Sequence, residues 1–174
     1  MPRQTPIFSI AVVADTSPLV ALSAAGRLDL LPAMWPSVVV PPAVHSELTI
    51  RPGEWVAARG IRQAFGRETW LTLAPVVDVR ALSRPASAKL GRGEIEVIAL
   101  AKSMGVQALI DDYEARLFAQ QCGVPVVGTL GVLALARQQG LLDKAEPVIQ
   151  AMLAAGIYLG PVLVENFLKQ LGER

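Results

Sequence analysis

The stretch IAVVADTSPLVAL, Ile10 to Leu22, carries the pattern from which the rest of the chain is read. Residues 10–14 are small and β-branched apolar side chains in one short run, which reads as a fully buried strand. The run stops at Asp15. Two hydroxyls, Thr16 and Ser17, follow, and then Pro18. Asp15, Thr16 or Ser17 can cap a helix whose first turn includes Pro18, and that helix is predicted to end at Gly26. A carboxylate in this position is either such a cap or a functional group held rigidly at a sheet edge.

The same unit recurs. SVVVPP (37–42) is a second strand, stopped by two prolines that cannot continue a ladder, and AVHSEL then starts a helix. VQALI (106–110) is a strand leading into the helical DDYEARLFAQQCG, and VPVVG (124–128) is a strand leading into the helical TLGVLALARQQG. GEIEVIALAKSMG is a helix between two glycines, with Ile95, Ile98, Ala99 and Leu100 available for burial. Arg51 to Arg92 is mixed: a helix around 54–65, a strand within 70–79, and a loop-like SRPASAKLGRG. Short apolar strands alternating with helices predict an α/β sandwich around a mostly parallel sheet.

The C-terminal third departs from that alternation. AEPVIQAMLAAG places Val148, Ile149, Met152 and Leu153 on one helical face. PVLVENFLKQLG does the same with Leu163, Val164, Phe167, Leu168 and Leu171. These helices are expected to cover the sheet or one another, with a dimer interface as the alternative.

The 174 residues suggest one domain, and a hydrophobic content of 52% is enough for a sizeable core. The single Cys122 excludes an internal disulfide and a thiolate metal site within one chain. The N-terminal residues lack the apolar run of a signal peptide, and no uninterrupted apolar stretch reaches the roughly 18 residues of a membrane span. A soluble cytoplasmic protein is expected. Charge is uneven: residues 51–92 hold eight basic side chains and three acids, a local +5 in a chain of net +1. This segment is either a surface facing a polyanion or a solvated helix and loop face. Trp35, Trp55 and Trp70 are core candidates, with Trp55 or Trp70 able to serve as a base-stacking surface.

Carboxylates gather at the boundaries of the predicted elements. Asp15 follows the first strand, Glu47 lies in the helix after the second, Glu94 and Glu96 open the helix after the basic segment, and Asp111 and Asp112 follow the ALI strand. Asp15 and Asp112 could simply cap helices, and Glu94 could complement a helix dipole. In an open parallel sheet, however, strand carboxyl ends share one edge where sites form. Like charges about 4 Å apart repel by about 4 kcal/mol at an effective dielectric of 20. Convergent acids therefore either protonate or share a cation, and an all-oxygen donor set favours Mg²⁺ or Mn²⁺ over zinc. No P-loop and no strand-linked GxGxxG occurs. The lone His45 has no nucleophile elbow to serve.

On VVADTSPLVAL, VVVPPAVHSEL, GRGEIEVIALAKSMG, ALIDDYEARLFAQQCGVPVVGTLGVLALARQQGLL and LVENFLKQLGE, the sequence resembles the PIN-domain superfamily. More closely it is similar to a prokaryotic PIN-like family related to VapC-type toxin ribonucleases. The resemblance spans most of the chain except roughly 50–90. It implies a three-layer α/β/α sandwich, a single PIN-like domain over 1–174, with 141–174 a C-terminal helical extension. It also implies an acidic cluster that binds Mg²⁺ or Mn²⁺ and cleaves RNA. Matched residue by residue, the catalytic acids are Asp15, Glu47, Glu94 and Asp112, and Asp111 is placed to substitute as a metal ligand. Thr16 and Ser17 would support the metal-water shell or a phosphate, and Glu96 would stand behind the ligands. Arg84, Lys89 and Arg92 are candidate RNA contacts. The expected function is a metal-dependent ribonuclease, the toxin of a toxin–antitoxin pair, with RNA, an antitoxin protein and a second copy of the chain as partners. The alternative is a non-catalytic module that binds RNA or protein.

Overall fold

The structure, a computed structural model, describes residues 10–50, 56–75, 77–82 and 89–174. Five strands form one sheet in the order β3-β2-β1-β4-β5, and every pairing among them is parallel. They are β1 (Ala11–Ala14), β2 (Ser37–Val40), β3 (Leu71–Leu73), β4 (Gln107–Leu109) and β5 (Val126–Val127). Val12, Val13 and Ala14 have no exposed surface. A parallel sheet covered on both faces needs apolar side chains pointing both ways, hence the uninterrupted run in β1 rather than an alternating one. Each fully buried Val or Leu here contributes about 1.5–3 kcal/mol of transfer free energy.

The helices are α1 (Thr16–Ala24), α2 (Leu30–Met34), α3 (Pro42–Ile50), α4 (Val56–Arg67), α5 (Arg92–Met104), α6 (Tyr113–Gln121), α7 (Thr129–Gln138), α8 (Glu146–Ala154) and α9 (Pro161–Gln170). A 3-10 turn, Val79–Ala81, lies between β3 and α5. α1 packs with α4, α7 and α8 on one side of the sheet, while α5 and α6 pack together on the other, giving the three layers. The short α2 was not foreseen. Its sequence, LLPAM, is too brief to show helical periodicity, but Leu30, Leu31 and Met34 all reach the core. Trp35, which follows, is fully buried as expected, and Trp70 packs against the same core. Trp55 lies outside the described residues.

Punctuation read from the sequence coincides with observed element ends. Pro42 opens α3, and Gly105 ends α5 with φ +67°, a left-handed conformation that glycine adopts without strain. α8 and α9 lay Val148, Ile149, Met152, Val164 and Leu168 into the main core. Leu153 and Leu163, expected on the same buried faces, are exposed, because each helix buries a narrower stripe than its apolar residues mark out. Among the described residues no helix is long and apolar enough to cross a membrane.

Candidate active site

The strand order places a crevice. The connection leaving β1 runs toward β2, whereas the one leaving β4 runs toward β5 on the opposite side, so the two carboxyl ends diverge. Such a switch point is where ligands bind in open parallel sheets. Asp15 stands at the end of β1 and Asp111 just beyond β4. The Asp15 amide donates to the Leu109 carbonyl at 3.0 Å, so the ladder between the two strands extends into the site itself.

Asp15 occupies the N-cap position of α1, yet its carboxylate makes no side-chain capping bond. Only 6% of the residue is exposed. Burial pushes its pKa up to about 7; the Thr16 backbone amide opposes the rise, and the charges of Glu94, Glu47 and Asp111 add to it. Glu47 reaches the same place from α3, where its Oε2 accepts from Thr16 Oγ1 at 2.6 Å. Gly93, at the start of α5, leaves the room that this convergence needs. A Cβ there would stand 3.0 Å from Glu47 Oε1 and 3.7 Å from Asp15 Oδ1. Glu94 accepts from the Gly91 amide at 2.8 Å, which ties it to the first turn of α5. Burial raises its pKa against that bond, with Asp112 and Glu47 pushing it further up.

Asp15, Glu47 and Glu94, with Thr16, Ser17 and Lys89, line a cleft of about 450 Å³. Asp111 and Asp112 line an adjoining groove, and Ser17 and Val20 belong to both walls. The two aspartates are held differently. Asp111 is fixed by the first residue of α7: its Oδ1 accepts from the Thr129 amide at 2.7 Å and its Oδ2 from the Thr129 hydroxyl at 2.6 Å. Asp112 caps α6 through Ala115 N–H at 2.8 Å. The carboxylate whose field reaches Asp15 is Asp111, while that of Asp112 reaches Glu94. Both are therefore part of the acidic edge, and neither merely replaces the other.

The remaining candidates separate. Glu96 points away from the cleft, as its spacing from Glu94 requires, and is almost fully buried. Its Oε2 accepts from the Ala43 amide at 2.9 Å, at the start of α3, and its Oε1 from Arg92 Nε at 2.8 Å. It anchors the helix that carries Glu47. Arg92 is thereby turned away from the acids, and Arg84 lies outside the described residues. Lys89 lines the cleft and stands 3.9 Å from Glu114. Arg80 pairs with Asp78, Arg62 reaches the Leu48 carbonyl, and Arg92 pairs with Glu96. His45 sits edge-on to Phe65, ring centroids 4.9 Å apart, and is outside the site. Sequence reading missed Thr129 and Gly93. Thr129 is the first residue of a helix after a strand, where a hydroxyl facing the edge could have been suspected.

The donor set fits a hard divalent cation in kind: carboxylate oxygens, two of whose groups have pKa values raised first by burial and further by the neighbouring acids. Among the described residues, no three acids stand close enough to form a ready-made metal site.

An all-parallel sheet between helical layers, with acids collected at the switch point, defines a site class. The PIN-domain family matches residues 11–173, and the chain belongs to that family. A solved structure of similar fold is a PilT N-terminus domain protein from the hyperthermophilic archaeon Sulfolobus solfataricus P2. The similarity has a TM-score of 0.51 at 16% identity and covers 72% of this chain and 92% of that one. A search of curated proteins finds no match. PIN domains are commonly nucleases that use divalent metals.

Proposed function

We propose that the protein is a divalent-metal-dependent ribonuclease acting through the acids at the end of β1 and β4, and that it serves as the toxin of a toxin–antitoxin pair. One observation carries the nuclease reading: Asp15 is buried at the end of β1, lining the same cleft as Glu47 and Glu94, while the charges of Glu94, Glu47 and Asp111 press on it. Such an arrangement costs stability unless a cation or a proton neutralises it, and a non-catalytic binding module gives no reason to keep it. The toxin role rests on the sequence resemblance alone.

Asp15, Glu94 and Asp112 would hold the ion, with Asp111 beside them and Glu47 as a further ligand or as the group that orients a water. Glu47 and Glu94 each carry one methylene more than Asp, which gives them reach toward Asp15. A bound Mg²⁺ or Mn²⁺ would supply an activated water and neutralise charge on a phosphodiester oxygen. The chain's own contribution is positional. Thr16 aims Glu47, Thr129 aims Asp111, the Gly91 amide aims Glu94, and the β1–β4 ladder fixes Asp15. Lys89, which lines the cleft beside Glu114, is a cation that a phosphate entering there would meet.

The test is cleavage of single-stranded RNA with Mn²⁺ or Mg²⁺, against EDTA and against Asp15→Asn. The wild type should cut only with metal, and the variant should lose at least about 100-fold, as expected when a group stabilising the transition state is removed. Equal cleavage by Asp15→Asn would exclude this centre.

A further inference from the structure

The groove beside the acidic cleft has features that the acids do not explain. It measures about 1030 Å³ and runs from Asp111 and Asp112, past Arg116 on α6, to Tyr158 and the α9 side chains Asn166 and Gln170. Arg116 is half-buried; its backbone amide donates to the Asp112 carbonyl at 3.0 Å, while among the described residues its guanidinium has no hydrogen bond or ion pair. Its guanidinium lies over Gly128, where a Cβ would collide with Nη1, and the same Cβ would stand 3.0 Å from Asp111 Oδ1. The absence of a side chain at Gly128 thus gives Arg116 its place beside the acids. At the other end, Tyr158 is 85% exposed, a large aromatic ring offered to solvent.

We infer that this groove holds the single-stranded RNA next to the bond being cut, with Arg116 on a flanking phosphate and Tyr158 stacked on a base. The inference rests on the ribonuclease reading of the adjoining cleft. Charge supports it. Acids that can serve a metal also repel a polyanion, so a strand entering there needs a fixed cation close by, and Arg116 is a guanidinium suited to phosphate. Chemistry along the groove supports it too. A strand of bases takes stacking surface and amide hydrogen bonds in alternation, which Tyr158, Asn166 and Gln170 provide. The groove also carries apolar side chains, Leu130, Leu163 and Phe167, against which bases can lie, while Arg116 and the two amides supply charge and hydrogen bonds.

The test uses the full chain in EDTA with a fluorescent single-stranded RNA of about 12 nucleotides, followed by anisotropy over a salt series. Cleavage in Mn²⁺ and sedimentation are measured in parallel. Arg116→Ala should lower the slope of log affinity against log salt by about 0.7. Tyr158→Ala should weaken binding about 5- to 150-fold and raise KM while kcat holds; Tyr158→Phe should bind as the wild type does. Tyr158 is largely exposed, and thermal melting confirms that both variants fold. If Arg116→Ala and Tyr158→Ala bind RNA like the wild type, the groove assignment is overturned, while wild-type cleavage in Mn²⁺ still upholds the nuclease. If the wild type never cleaves yet its RNA binding depends on Tyr158, the nuclease reading fails and the groove stands. Substitutions that alter self-association and leave RNA affinity unchanged assign the groove to a second copy of the chain and overturn the inference.

Discussion

Asp15, the anchor of the proposed centre, also concentrates its instability. In the folded protein burial holds its pKa near 7, well above the ordinary aspartate value of 3.8 in an unfolded chain. The folded state therefore binds more protons than the unfolded one between these values, and stability falls as pH rises through that window. Asp15→Asn removes the penalty. It is expected to unfold at higher urea than the wild type at pH 8, by about 2–4 kcal/mol, with the difference vanishing near pH 4. Denaturant titrations at the two pH values check this, and a wild type as stable at pH 8 as at pH 4.5 would count against it. On the proposed reading Thr16 positions Glu47. Its hydroxyl is bonded to Glu47, so Thr16→Val should reduce metal affinity about 10-fold, in the range typical for groups that orient ligands. Mn²⁺ titration of the two proteins checks it.

At the scale of the element, two buried glutamates tie helix N-termini across long sequence separations. Glu96 on α5 accepts from the Ala43 amide of α3. Glu173 accepts from the amides of Ala145 and Glu146 at the start of α8 and pairs with Arg137 at 3.0 Å. Burial alone would raise the Glu173 pKa, but the Ala145 and Glu146 amides and the Arg137 charge hold it below the usual glutamate value. Its stabilisation is accordingly present above the unfolded pKa and lost as pH falls through the folded one. Glu96→Ala and Glu173→Ala are each expected to cost about 1–3 kcal/mol, because the amides lose their partners. Chemical denaturation at pH 7 measures this, and the Glu173→Ala loss should shrink on acidification. Neither partnership was legible in the sequence. Glu96 was read as standing behind the metal ligands, because spacing tells that it leaves the Glu94 face but not which helix it meets. The strands and most helices were legible, since IAVVA, SVVV and QALI are short, largely apolar runs closed by proline or aspartate. α2 was not, because five residues are fewer than the period needs.

For the molecule as a whole, the five-stranded order turns separate acids into one edge. Glu47, more than thirty residues from Asp15 in sequence, meets it because β2 lies beside β1, and Asp111 meets it because β4 lies on the other side. The sequence showed acids at element ends; the order of strands and the direction of each crossover decided that they share a crevice. Metal binding should accordingly be coupled to folding. At about 100 times the dissociation constant, Mn²⁺ should stabilise the wild type by about 2.7 kcal/mol, read as a rise in Tm, and leave Asp15→Asn nearly unchanged. The same coupling makes binding compete with the proton on Asp15, so affinity should rise with pH through about 7. The most direct test is a Mn²⁺ binding isotherm followed by the electron paramagnetic resonance of the free ion, at pH 8 and pH 5.5, on the wild type and Asp15→Asn. The acidic edge as a metal centre predicts saturable binding by the wild type at pH 8, weakened at pH 5.5 and abolished by the substitution. Binding of equal strength in Asp15→Asn at pH 8, or none in the wild type, would contradict it.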